Sequence, residues 1–213
     1  MIPSRIGVFG GTFDPVHLGH LQLAQLAIKE IGLSQVLFIP AAQPPHKNGI
    51  ITPIKHRLAI LELICRGNTH FACSAIENEL PKPSYTVDTL TALKQRLPVS
   101  TELYFILGGD AFLDLMTWKS YTTILSMVKI IVSPRIGYTN KHLYSFLTRI
   151  GYCLKKGRWQ GQNGKKDIVV LSESPLDVCS STVRSVIAKG GDTTNLLPQD
   201  VINYIEENNL YSP

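Results

Sequence analysis

The chain has 213 residues, 44% of them hydrophobic, and a net charge of +5. That is enough apolar material for one cored domain, while no apolar run is long enough to cross a bilayer as a helix. Cys65, Cys73, Cys153 and Cys179 are scattered without a C-x-x-C pair, which argues against a disulfide framework or a zinc site.

The first residues, Met1 to Arg5, run straight into a strand pattern with no long apolar stretch of the signal-peptide kind. A cytoplasmic location is therefore expected. Residues 5–9 read as a strand that ends at Gly10-Gly11. From His17 to Ile31 the apolar residues keep a helical period, with Gly32 placed to cap the C-terminus. Residues 35–39 are the next strand. Thr52-Pro53 predicts a helix start, with Thr as N-cap and Pro at the first helical position, running to about Arg66.

A strand over 70–76 and a proline-containing loop over 77–84 precede a helix over 86–97. Residues 102–107 form a strand closed by Gly108-Gly109, short helices cover 111–116 and 121–127, and a strand covers 128–132. The stretch 141–166 holds seven Lys and Arg and no Asp or Glu, so the rest of the chain carries −2. It reads as a solvated basic insertion, in which Leu143, Phe146, Leu147, Ile150 and Leu154 follow a helical period. A strand at 167–171 and helices at 181–189 and 199–208 complete the pattern. Such alternation predicts an α/β fold: a doubly wound, mostly parallel sheet with helices on both faces. All 213 residues form a single domain in this reading, with the basic insertion near 137–166.

Ligands of such sheets bind beyond the carboxyl ends of the strands, and the residues hardest to explain as packing fall there. The first strand is followed by Gly10-Gly11-Thr12-Phe13-Asp14-Pro15-Val16-His17-Leu18-Gly19-His20. Glycines let the backbone approach a ligand. A helix start offers N–H groups and a positive dipole to polyphosphate, and Gly19 should leave space between the two imidazoles. Two histidines at this spacing also suit capping or half of a metal site. Later strands lead to Pro44-Pro45-His46-Lys47, to Ser84-Tyr85-Thr86-Val87-Asp88-Thr89, to Gly108-Gly109-Asp110 and Trp118, to Arg135, and to Ser180-Ser181-Thr182-Val183-Arg184. Six such clusters at one edge suggest one site. A P-loop and a G-x-G-x-x-G after the first strand are both absent.

These residues resemble the nucleotidyltransferase superfamily marked by H-x-G-H and a later S-S-T-x-R-like element. Pro44–Lys47, the Ser84–Thr89 stretch and Trp118 resemble, more closely, the bacterial nicotinate-nucleotide adenylyltransferases. The resemblance runs end to end. It departs at Arg135-Ile136-Gly137, at Lys119 and at Cys179.

It implies a Rossmann-like nucleotidyltransferase that moves AMP from ATP to nicotinic acid mononucleotide, giving deamido-NAD and pyrophosphate. Another acceptor such as phosphopantetheine is the alternative. On this resemblance, His17, His20, Lys47 and Arg184 are the catalytic group. Gly10, Gly11, Thr12, Phe13, His17, His20, Gly108, Asp110, Ser181, Thr182 and Arg184 bind ATP. Lys47, Ser84, Tyr85, Thr86, Trp118 and Arg135 bind the nicotinate nucleotide. Mg²⁺ arrives on the ATP phosphates, and no protein metal site is expected. Neither nucleic acid nor membrane is an expected partner, and a homo-oligomer is compatible with the sequence.

Overall fold

A computed structural model describes residues 4–44, 51–134 and 140–212. Strand β1 (Arg5–Gly11) leads to α1 (Leu18–Ile31), β2 (Gln35–Pro40), α2 (Ile54–Arg66) and β3 (Phe71–Cys73). A 3-10 turn (Ile76–Glu79) precedes α3 (Thr86–Arg96) and β4 (Glu102–Gly108). Then come α4 (Gly109–Leu113), a 3-10 turn (Leu115–Thr117), α5 (Tyr121–Met127) and β5 (Lys129–Ser133). The remainder is α6 (Asn140–Arg149), β6 (Tyr152–Lys155), β7 (Arg158–Gly161), β8 (Ile168–Val170), α7 (Ser180–Ala188) and α8 (Gln199–Glu207).

The strands form one sheet in the order β3-β2-β1-β4-β5-β8-β7-β6. Every pair from β3 to β8 is parallel; β8–β7 and β7–β6 are antiparallel. The α/β class and the mostly parallel sheet are as predicted. β4 shows why such strands read as unbroken apolar runs. Leu103, Phe105 and Leu107 enter one core while Tyr104 and Ile106 enter the other, because side chains alternate across a sheet covered on both faces. The first core lies under α3, α4, α5 and α6, and the second under α1, α2, α7 and α8. The chain leaves β1 toward β2 on one side and meets β4 on the other. That reversal opens a crevice beyond the β1 and β4 carboxyl ends.

Local corrections have physical causes. α2 starts at Ile54, with Pro53 as N-cap and no side-chain capping bond. The predicted cap sits one residue early because the Thr52 carbonyl is taken by the Arg57 guanidinium. Gly32 does cap α1, at φ 69 with its N–H on the Ile28 carbonyl.

The basic stretch is only partly a solvated insertion. Leu143, Phe146, Leu147, Ile150, Tyr152 and Trp159 are buried in the first core, and its hairpin β6–β7 extends the sheet. Leu154 leaves the helical series and is exposed on β6.

Candidate active site

Among the described residues, the two cavities that take up the predicted site residues at the crevice share no lining residue. The larger encloses about 520 Å³ between the start of α1 (His17, Gly19, His20), the β4–α4 junction (Gly108, Gly109, Asp110) and the start of α7 (Ser180, Ser181, Arg184). Residues 175–178 close its outer wall.

His17 occupies the N-cap of α1 in an extended conformation, φ −141. Its ring stacks on His20 at 3.7 Å between centroids and 27° between planes. The predicted gap between the imidazoles does not exist. Glycine is needed at position 19 for a different approach: a Cβ there would lie 2.8 Å from the Leu176 carbonyl oxygen. His20 Nδ1 accepts the His17 backbone N–H at 3.3 Å, which assigns the ring proton to Nε2, a donor. Phe13 supports the His20 ring edge-on at 5.1 Å.

His17 is 4% exposed, and this burial lowers its pKa from 6.5 to about 4. It is therefore neutral at pH 7. Below pH 6.5 the unfolded chain binds a proton that the folded chain refuses. Stability should fall as pH drops from about 6.5 toward 4, by about 3 kcal/mol from this group. Urea midpoints at pH 7 and pH 4.5 check this: His17→Gln should show a visibly smaller fall than the wild type. Equal falls would assign the acid sensitivity to other groups.

Arg184 lines the same cavity. Its Nη1 donates to the Asp14 carbonyl at 2.7 Å. Ser180 Oγ donates to the Pro15 carbonyl at 3.0 Å, so the start of α7 is fastened to the loop after β1. Cys179 is the N-cap of α7. Its sulfur lies 3.1 Å from Ser181 Oγ and 3.0 Å from Thr182 Oγ1. Asp110 is the second residue of α4, whose N-cap is Gly108.

The smaller cavity, about 170 Å³, is lined by Gly10, Gly11, Thr12, Ser84, Tyr85, Thr86 and Trp118, among others. Tyr85 is the N-cap of α3 and Thr86 its first residue. Ser84 is locked to Gln43 by two bonds, its N–H to the Gln43 carbonyl at 3.0 Å and its Oγ receiving the Gln43 N–H at 3.1 Å. Trp118 is half-buried and stands edge-on to Phe105, with centroids 6.1 Å apart. Lys119 bonds Asp88 at 3.1 Å and lies 4.3 Å over the Tyr85 ring.

Several sequence expectations are redistributed. Gly10, Gly11 and Thr12 line the smaller cavity and not the one with the histidines. Phe13 lines neither; it is 2% exposed and belongs to the core beneath His20. Thr182 is exposed and also lines neither cavity. Lys47 and Arg135 lie outside the described residues.

Sequence reasoning missed a buried polar network behind both cavities. Arg57, 2% exposed on α2, donates Nε to the Thr52 carbonyl at 2.8 Å and Nη1 to the Thr12 carbonyl at 2.7 Å. Asp14, 3% exposed, accepts the Tyr211 hydroxyl at 2.8 Å and the Thr52 N–H at 3.4 Å. Glu77, 8% exposed, receives the Ala42 N–H at 3.0 Å and the Thr89 hydroxyl at 2.9 Å beside the smaller cavity. Asp14 could have been found from its place inside the Gly-Gly-Thr-Phe-Asp-Pro run. Arg57 carries no sequence signal, since an arginine on a helix usually faces solvent.

Comparison with known proteins gives consistent matches. A family profile described as cytidylyltransferase-like matches residues 8–186. The chain is 42% identical over 211 residues to a protein of Desulfotalea psychrophila named "probable nicotinate-nucleotide adenylyltransferase", covering 98% of this chain and 100% of that one. It is 40% identical over 210 residues to one of the same name from Thermomicrobium roseum, covering 98% and 92%. A solved nicotinic acid mononucleotide adenylyltransferase from Plasmodium falciparum, complexed with NaAD, superposes with a TM-score of 0.75. At 18% identity, over 98% of this chain and 97% of that one, the likeness is one of fold.

Proposed function

Since this chain belongs to the nicotinate-nucleotide adenylyltransferases of the cytidylyltransferase-like family, we infer that it transfers the adenylyl group of ATP to nicotinic acid mononucleotide. The products are deamido-NAD and pyrophosphate. The observation that carries this reading is the pairing of two disjoint cavities beyond β1 and β4, one with histidines and an arginine, the other with a tryptophan and a helix start.

ATP occupies the larger cavity in this reading. The mononucleotide phosphate attacks the α-phosphorus in line, and pyrophosphate leaves. Catalysis is positioning and charge stabilisation. His20 donates from Nε2 to an oxygen at the reacting phosphorus. His17, neutral and stacked beneath it, fixes that ring and touches the same triphosphate. Arg184 holds the β- and γ-phosphates with a planar fork of donors. Ser181 offers a hydrogen bond to the phosphates, and Asp110 accepts from ribose hydroxyls. Lys47 neutralises a phosphate from the acceptor side, and Arg135 contacts the nicotinate nucleotide; both are assigned from sequence alone.

Among the described residues no group of three or more His, Cys, Asp or Glu could hold a metal. Two carboxylates, Asp110 and Asp177, line the ATP cavity. Such hard oxygen donors fit Mg²⁺ through its waters, with the ion carried on the ATP phosphates. Bound there, Mg²⁺ would neutralise charge on the leaving pyrophosphate.

Nicotinate occupies the smaller cavity. The N–H groups at the start of α3 meet its carboxylate, which accepts only, whereas a carboxamide would bring its own donors. Trp118 offers a face to the pyridine ring. Trp118→Ala should raise KM for the mononucleotide about tenfold and leave KM for ATP unchanged. Equal loss for both substrates would make the tryptophan structural.

Among the described residues no helix is long and apolar enough to cross a membrane, and we place the reaction in the cytoplasm. The deciding experiment supplies ATP with nicotinic acid mononucleotide, its amide, or phosphopantetheine. Pyrophosphate and deamido-NAD should appear fastest with the first. A preference for phosphopantetheine would overturn the reading.

A further inference from the structure

We propose that Tyr211 is a positioning residue for ATP: by engaging the Asp14 carboxylate, it keeps that charge off the Arg184 guanidinium. The inference rests on Arg184 binding the triphosphate, as read above.

Arg184 is anchored through the backbone of the loop after β1. Its Nη1 bonds the main-chain carbonyl of Asp14 at 2.7 Å, a neutral acceptor that leaves the guanidinium its full charge. The carboxylate of the same residue makes only a long ion pair with it, Oδ2 4.0 Å from Nη1 and short of a hydrogen bond. A carboxylate is the strongest side-chain competitor for a guanidinium, and a forked pair would satisfy the donors that phosphate oxygens need. Asp14 is 3% exposed, so little water screens the attraction.

Two bonds turn the carboxylate elsewhere. Oδ1 accepts the Tyr211 hydroxyl at 2.8 Å, and Oδ2 accepts the Thr52 N–H at the longer distance of 3.4 Å. The tyrosine is therefore the stronger restraint. Burial and the adjacent Asp14 charge both raise the pKa of this phenol, which remains a protonated donor at any working pH. Tyr211 is held at φ 62, a backbone region uncommon for a bulky residue, and its ring packs against the second core. It lines neither cavity. The phenol also bonds the Thr52 side chain, and the Asp14→Asn background separates the carboxylate's part from that contact.

Tyr211→Phe keeps the ring and removes only the hydroxyl. In the full chain, with ATP and nicotinic acid mononucleotide, KM for ATP should rise about five- to tenfold, the loss expected for one ordinary intramolecular hydrogen bond. KM for the mononucleotide and kcat should not change. Adding Asp14→Asn removes the competing charge and should return KM for ATP toward the wild-type value. The inference is overturned if KM for ATP is unchanged in Tyr211→Phe, if both KM values rise together, or if the double variant stays as weak as the single one.

A structural tyrosine would give no rescue. ATP titration without acceptor reads the same contrast, so the inference is decided even if wild-type chain makes no dinucleotide, a result that would sink the functional reading instead. Should Tyr211→Phe fail to fold, Asp14→Asn alone decides. It must bind ATP at least as tightly as the wild type, and weaker binding overturns the proposal.

Discussion

His20→Ala should turn over roughly 10²–10³ times more slowly than the wild type, the penalty typical of losing one transition-state donor. The ring sits where its orientation is fixed from three sides. His17 stacks on its face, Phe13 meets it edge-on, and the His17 N–H occupies Nδ1. Such fixation means that Nε2–H requires little reorganisation as charge develops. His20→Asn sharpens the test, since its amide oxygen can replace Nδ1 as acceptor while nothing replaces Nε2–H. Both variants should be slow, with thermal midpoints near the wild type. If His20→Asn works at full speed, the histidine serves only to shape the helix start, and the chemistry must rest elsewhere.

The second large effect is on stability. Arg57→Met should cost about 3–5 kcal/mol, the usual consequence of removing one partner from a buried charged network. Two carbonyls, of Thr12 and Thr52, would lose their donor. Asp14, whose charge favours the protonated guanidinium, would remain buried without it. In a chain of this size the thermal midpoint should drop by on the order of 10 °C. Denaturant unfolding measures it directly. A loss below about 1 kcal/mol would mean that water enters and takes over the guanidinium's bonds. Because Thr12 lines the smaller cavity, activity at a temperature where the variant is folded should also fall.

The fold was legible because its signals are local. Buried parallel strands read as apolar runs, helices keep their period, and Gly32 marks a helix end. Failures follow where a longer-range contact overrides local pattern. Residues 152–161 read as part of a solvated basic insertion because Lys155, Lys156 and Arg158 cluster between Tyr152 and Trp159, whose burial in a short hairpin depends on the sheet edge. Thr52 looks like a cap until Arg57 claims its carbonyl.

At the site, the glycines, the two histidines and the Ser-Ser-Thr run announce themselves by composition. What they do not disclose is that Gly10 to Thr12 face one cavity while His17 and His20 face another. Nor does a sequence reveal that Tyr211 bonds Asp14 across 197 positions. That contact depends on α8 and the residues after it returning to the loop that follows β1.

Two hollows without a lining residue in common, if each takes one reactant as read above, bear on whether AMP passes directly between them. Each reactant can settle without displacing the other, so both can be resident at once. With both resident, AMP would pass straight from one to the other and need no temporary home on the protein.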